Sequence, residues 1–150
     1  MKRKLVLTVG NGMMGDDGAG ALLAKMIYER PLEEWEALNG GAAPENVLHQ
    51  VHEMAPEQVL VVDATDMDQP PGTIRRIPEE RIADPFFFTT HTLPLTFLIE
   101  ALREFTPRVD LIGIQPEIVA FGYPMSTSVK KAVSQVYTAL KTGRISWETL

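Results

Sequence analysis

Apolar residues along the chain come in two spacings, short unbroken runs and recurrences three or four positions apart, and these predict strands and helices in turn. Leu5-Val6-Leu7-Thr8-Val9 is a β-rich apolar run ended by Gly10-Asn11-Gly12, which reads as a strand buried on both faces that feeds a loop. From Asp16 or Asp17 onward, Ala21, Leu22, Ala24, Met26 and Ile27 fall at helical spacing until Pro31, which cannot continue a helix. Glu34 to Leu38 is a second strand of modest β character, and Gly40-Gly41 turns the chain behind it. Pro44-Glu45 opens a helix to about Met54, and Gln58-Val59-Leu60-Val61-Val62-Asp63 is the clearest buried strand.

Gly72 to Ile77 alternates loosely and reads as a hairpin-like or edge strand, followed by a single helical turn at Pro78-Glu79-Glu80. Leu93, Leu95, Phe97, Leu98, Ala101 and Leu102 mark a helix entered through Pro94, and Val109 to Ile114 is another buried strand. The last helix has Ser126 as its N-cap, carries Val129, Ala132, Val133, Val136 and Leu140 on one face, and stops at Gly143. Five strands alternating with helices imply an α/β fold with a mainly parallel, twisted sheet covered on both faces.

Composition adds limits. The 150 residues fit one domain spanning 1–150, and 45% hydrophobic with 23% charged residues is ordinary for a globular chain. No apolar run approaches the roughly 20 residues that span a bilayer. Met1-Lys2-Arg3-Lys4 leads into a strand rather than a signal-peptide core, so a cytoplasmic location is expected. A net charge of -6 with scattered Lys and Arg gives no footprint for nucleic acid. With no cysteine there is neither disulfide nor thiolate ligand, so any bound metal must be held by carboxylate, imidazole, carbonyl or water.

Gly10-Asn11-Gly12-Met13-Met14-Gly15 matches G-x-G-x-x-G between a strand and a helix. In a dinucleotide site, however, the pyrophosphate sits over the helix N-terminus. Here Asp16 and Asp17 fall at that position, where they would repel an anion and suit a cation. A capping role is the ordinary explanation for one acid, but it does not occupy both. Asp63 ends an apolar strand at the sheet edge where α/β ligand sites form, although an acid there also serves as a turn former. His91, after Thr89-Thr90 at a loop-to-helix junction, would alone be an ordinary polar residue. If the strand order joins the ends of the first and third strands, two carboxylates and an imidazole converge, a set suited to a divalent metal with open positions.

His49 and His52 stand three apart on a helix, not four as in H-E-x-x-H, and are expected on a solvated face. Met13 and Met14 are expected to pack, though they could offer a soft contact surface, and Phe86-Phe87-Phe88 is expected in the core or a covered loop.

Taken in order, Gly10 to Gly20, Gly40-Gly41-Ala42-Ala43-Pro44-Glu45-Asn46, Val62-Asp63-Ala64-Thr65-Asp66-Met67, Thr89-Thr90-His91 with Leu93-Pro94-Leu95, Gly113-Ile114-Gln115-Pro116 and Tyr123-Pro124-Met125 resemble the nickel-iron hydrogenase maturation endopeptidases. They are most similar to the branch that processes the large subunit of hydrogenase 3, the formate hydrogenlyase enzyme. The resemblance covers nearly the whole chain and implies a three-layer αβα fold. It also implies metal-contacting positions at Asp17, Asp63 and His91, and removal of a C-terminal extension from the large-subunit precursor after nickel insertion. Nickel would come with the substrate, with the isolated protein open to another divalent metal, and no nucleotide cofactor or membrane insertion is expected. One departure is Asn39, where many relatives carry Asp. A rival from another class is a non-catalytic, nickel-sensing chaperone gripping the same precursor. A nucleotide-dependent oxidoreductase rests on the Gly10 to Gly15 match alone.

Overall fold

In the computed structural model, which describes residues 4–82 and 95–150, the apolar runs pair into one five-stranded sheet. Its strands are β1 (Lys4–Thr8), β2 (Trp35–Asn39), β3 (Gln58–Ala64), β4 (Ile74–Ile77) and β5 (Arg108–Ile114), in the spatial order β2-β1-β3-β5-β4. The pairs β1–β2, β1–β3 and β3–β5 are parallel, while β4 runs antiparallel along β5. The helices are α1 (Ala19–Glu29), α2 (Leu48–Met54), the single turn α3 (Glu79–Ile82), α4 (Leu95–Arg103) and α5 (Thr127–Thr142).

Because successive strand side chains point to opposite faces, each central strand feeds two cores. Leu5, Leu7, Val59, Val61, Val109 and Leu111 pack with Val51 of α2 and with Leu95, Leu98, Ile99 and Leu102 of α4. Val6, Leu60, Val62, Ile112 and Ile114 pack with Leu23 and Ile27 of α1 and with Val129, Val133, Val136 and Leu140 of α5. All of these are buried, each contributing about 1.5 to 3 kcal/mol of transfer free energy. The result is the expected helix–sheet–helix stack.

Most boundaries follow the expected ones, and the departures have local causes. α1 does not begin at the aspartates: a 3-10 turn, Gly15–Gly18, precedes it. The segment opened by Pro44 divides into a 3-10 turn, Pro44–Val47, and the short α2, which ends on left-handed Ala55. β4 is an edge strand as expected, and its free side is lined by residues 148–150: Arg76 N donates to Glu148 O, and Leu150 N donates to Arg76 O, both at 2.9 Å. α5 has the expected ends, since Ser126 Oγ accepts from Val129 N at 3.3 Å and Gly143 takes φ +76°. His91, Pro94 and Phe86 to Phe88 lie outside the described residues. Among the described residues no helix is long and apolar enough to cross a membrane.

The topology fixes where a site can form. From β1 the chain crosses through α1 on one face to reach β2, then returns through α2 on the other face to β3. The strand order therefore reverses between β1 and β3, and their carboxyl ends open the crevice in which α/β sheets bind ligands.

Candidate active site at the carboxyl edge of the sheet

Past the end of β1, Val9 N still donates to Val62 O at 2.9 Å, extending the ladder with β3 by one residue. The next residues on the two strands are Gly10 and Asp63. Gly10 turns the chain with φ +128°, and its N–H donates to Gly41 O at 2.9 Å. The loop then folds back, so that Asn11 N donates to the Asp17 carboxylate at 2.8 Å and the 3-10 turn carrying Asp17 packs against β3. Both acids are buried and flank the switch point. Asp63 is paired in register with Gly113 and shares the strand face of Val59 and Val61, the face covered by α4. It is part of the strand, not a helix cap or turn former.

α4 leads by a short link into β5, which begins at the amino edge, so its first residue, Leu95, lies toward the carboxyl edge. His91, four residues before it, lies outside the described residues. Among the described residues no group of three His, Cys, Asp or Glu side chains is placed to hold a metal ion. Asp17 and Asp63 thus bring two oxygen-donor groups to the switch point between β1 and β3.

The two adjacent aspartates have separate tasks, and neither caps α1, whose N-cap is Gly18 with no side-chain cap bond. Asp16 is fully buried and turned toward the loop after β5: its carboxylate accepts from Glu117 N (2.8 Å), Ile118 N (3.2 Å), Ser126 N (2.7 Å) and Ser126 Oγ (2.9 Å). Asp16 N in turn donates to Ile118 O at 2.9 Å. Burial opposes ionisation, but the bonds from Ser126, Glu117 and Ile118 outweigh it and hold the carboxyl below its ordinary value. Sequence reasoning missed this role, because the partners lie 101 to 110 residues away. Only the two aspartates in tandem hinted that one had a separate use.

Gln115 is a second joint that the sequence did not reveal. Its Oε1 accepts from Met67 N at 2.6 Å and Gln69 N at 3.3 Å, and its Nε2 donates to Asp66 Oδ1 at 3.1 Å. The segment following Asp63 is thereby tied to the end of β5. Asn39 fixes the turn after β2, its Oδ1 accepting from Gly41 N at 2.9 Å while its own N–H donates to Tyr28 Oη at 3.1 Å.

Two glycines of the G-x-G-x-x-G match, Gly10 and Gly15, serve close packing. A Cβ on Gly10 would overlap the Asp17 carbonyl oxygen, and one on Gly15, at φ +59°, would stand 2.7 Å from Ile118 O. His49 and His52 are exposed on α2 as expected, His49 Nε2 lying 2.9 Å from Glu53 Oε1 and His52 against the Phe105 ring. Met14 is half-buried, but Met13 does not pack as expected and projects into solvent.

Comparison with known proteins gives a consistent result. Residues 21–142 match the family model described as hydrogenase maturation protease. The chain is 47% identical over 144 residues to the hydrogenase 3 maturation protease of Escherichia coli K12, covering 96% of this chain and 90% of that one. It is 28% identical over 153 residues to the hydrogenase 2 maturation protease of the same strain, covering 93% and 91%. Among solved structures, the solution structure of the Escherichia coli endopeptidase HycI superposes with a TM-score of 0.91 at 45% identity, covering 100% of this chain and 97% of that one. A [NiFe] hydrogenase maturation protease from Thermococcus kodakarensis gives a TM-score of 0.82 at 25% identity, covering 94% and 92%.

Proposed function

We propose, on the premise that this chain belongs to the hydrogenase maturation proteases and is an endopeptidase, that it trims the C-terminal extension of a nickel-iron hydrogenase large-subunit precursor once nickel has been inserted. The nickel is part of the substrate and is the signal that the protein reads. The single observation that carries this reading is that Asp17, on the turn packed against Gly10 and β3, and Asp63, at the end of β3, are remote in sequence but meet the same strand-order reversal. Two carboxylates, one on a strand end and one on a turn packed against that strand, suit a divalent cation carried by a partner, and His91 is the third ligand in this proposal.

Each residue then has a task. Asp17, Asp63 and His91 grip the precursor's nickel and so hold the scissile peptide at a fixed position beside the carboxylates. In this reading a water activated by the substrate's nickel or by a neighbouring carboxylate gives up a proton to the protein, and its oxygen adds to the peptide carbonyl. Collapse of the adduct breaks the C–N bond as that proton passes to the leaving nitrogen, releasing the extension as an amine and leaving a carboxylate on the large subunit. Burial of both acids keeps their oxygens in place before the substrate arrives. In this reading the reaction takes place in the cytoplasm.

The deciding experiment is to incubate the purified protein with nickel-loaded and nickel-free precursor and to locate any cut by mass spectrometry. Shortening of the nickel-loaded form alone is expected. Equal shortening of both forms would remove nickel as the signal, and shortening of neither would overturn the reading.

A further inference from the structure

Beside the acid pair lies a surface that the chemistry above does not use. The loop between β5 and α5, residues 115–126, has no regular structure, and loops of such length are usually functional. It carries one charged residue, Glu117, and no Lys or Arg, while Ile118, Phe121 and Tyr123 are 44%, 71% and 55% exposed. Met13, 63% exposed, comes from the Asp17 loop and is stitched to the same surface, its carbonyl accepting from Gly122 N at 2.9 Å. Exposed aromatic and methionine side chains with a single charged neighbour, Glu117, have the composition of an interface core.

The platform is also held firmly. Asp16 binds the backbone at residues 117, 118 and 126, and Tyr123 N donates to Ala120 O at 3.2 Å. The apolar side chains are therefore presented on a fixed backbone, which lowers the ordering cost of binding. They are also rigidly coupled to the turn that bears Asp17.

We propose that Met13, Ile118, Phe121 and Tyr123 form the docking platform for the folded body of the hydrogenase large-subunit precursor, an apolar patch on which seats the precursor while its tail lies at the acid pair. This rests on the functional reading given above and names the surface by which the same substrate is held. The occupant follows from continuity: the platform shares the residue 10–18 loop with Asp17, so whatever covers Met13 and Phe121 is adjacent to the turn that bears Asp17. A precursor gripped at its nickel needs a second contact to fix its orientation, and this is the apolar surface contiguous with the grip.

The test is direct binding of purified nickel-loaded precursor to immobilised protein, with cleavage scored separately. The variants are Phe121→Ser combined with Tyr123→Ser, Met13→Ser alone, and Ile145→Ser as an exposed apolar control beyond the end of α5. All four side chains are exposed, so melting temperatures should match the unsubstituted protein. The expected result is a dissociation constant at least tenfold weaker for the double variant, weaker for Met13→Ser and unchanged for Ile145→Ser. That pattern supports the platform whether or not the precursor is cut, and binding without cutting would count against the protease reading alone. Equal binding by all variants, or no binding by the unsubstituted protein, overturns the platform. So does a dimer by sedimentation that the double variant dissociates without change in precursor binding, since a second copy would then be the occupant.

Discussion

Gly10 and Asp17 are packed so closely that the missing side chain of one is the space taken by the other. A Cβ on Gly10 would overlap the Asp17 carbonyl oxygen and lie 3.4 Å from its carboxylate Oδ1, and φ +128° at Gly10 strains any other residue. Gly10→Ala should therefore push the Asp17 turn outward, costing about 1 to 3 kcal/mol in stability. Precursor trimming should fall at least tenfold at temperatures where the variant is folded. Unchanged trimming would mean that the position of Asp17 does not matter.

Asp16→Asn is expected to destabilise more than Asp17→Asn. The Asp16 carboxylate receives four hydrogen bonds divided between its two oxygens, so an amide in either orientation turns its N–H groups toward at least one of those donors and loses the charge that the others bond. A loss of about 2 to 4 kcal/mol by urea unfolding follows from the value of hydrogen bonds to a charged acceptor. At position 17 an amide oxygen can still accept from Asn11 N, so that variant should melt within a few degrees of the unsubstituted protein.

The same carboxylate sets an acid limit. Its folded-state value lies below the ordinary 3.8, so the unfolded chain binds the proton more readily. The stabilisation is fully present above the ordinary value and drains away as pH falls through the lower folded value. Unfolding free energy measured against pH should decline across that window, and the decline should be smaller in Asp16→Asn. An identical decline in both would place the acid sensitivity elsewhere.

Asp17→Asn, Asp63→Asn and His91→Ala should each reduce trimming of nickel-loaded precursor below detection, while the far-ultraviolet circular dichroism of each stays that of the folded protein. His49→Ala and His52→Ala, on the exposed face of α2, should cut normally. Loss of cutting in these two with retention in His91→Ala would exchange one set of ligands for the other.

Val61→Ala separates packing from chemistry. Val61 is fully buried between α2 and α4, so its truncation should cost about 1 to 3 kcal/mol, with trimming retained at temperatures where the protein is folded.

How much of this could be read from the sequence depended on how local the cause was. The central strands and the ends of α5 were legible, since an unbroken apolar run, a serine N-cap and a glycine stop act within a few residues. Asp63 was legible as a strand-end acid for the same reason. The division of labour between Asp16 and Asp17 was not, because nothing near them in sequence says which carboxylate meets Ser126 and which meets Asn11. The exposure of Met13 was hidden likewise, since methionine usually fills a core and only the crossing of two loops leaves this one outside.

The reach of the Asp16 hydrogen bonds sets an order in time. Asp16 leaves the ribosome well before the backbone that secures its turn, since 117, 118 and 126 lie 101, 102 and 110 residues further along. Pairing across so long a stretch must wait for the intervening strands to close, so the Asp17 turn is built early and locked late. A nascent chain that stops short of Glu117 has Asp16 but none of the backbone partners that hold its carboxylate, and the cutting edge is set only after the loop between β5 and α5 has been made.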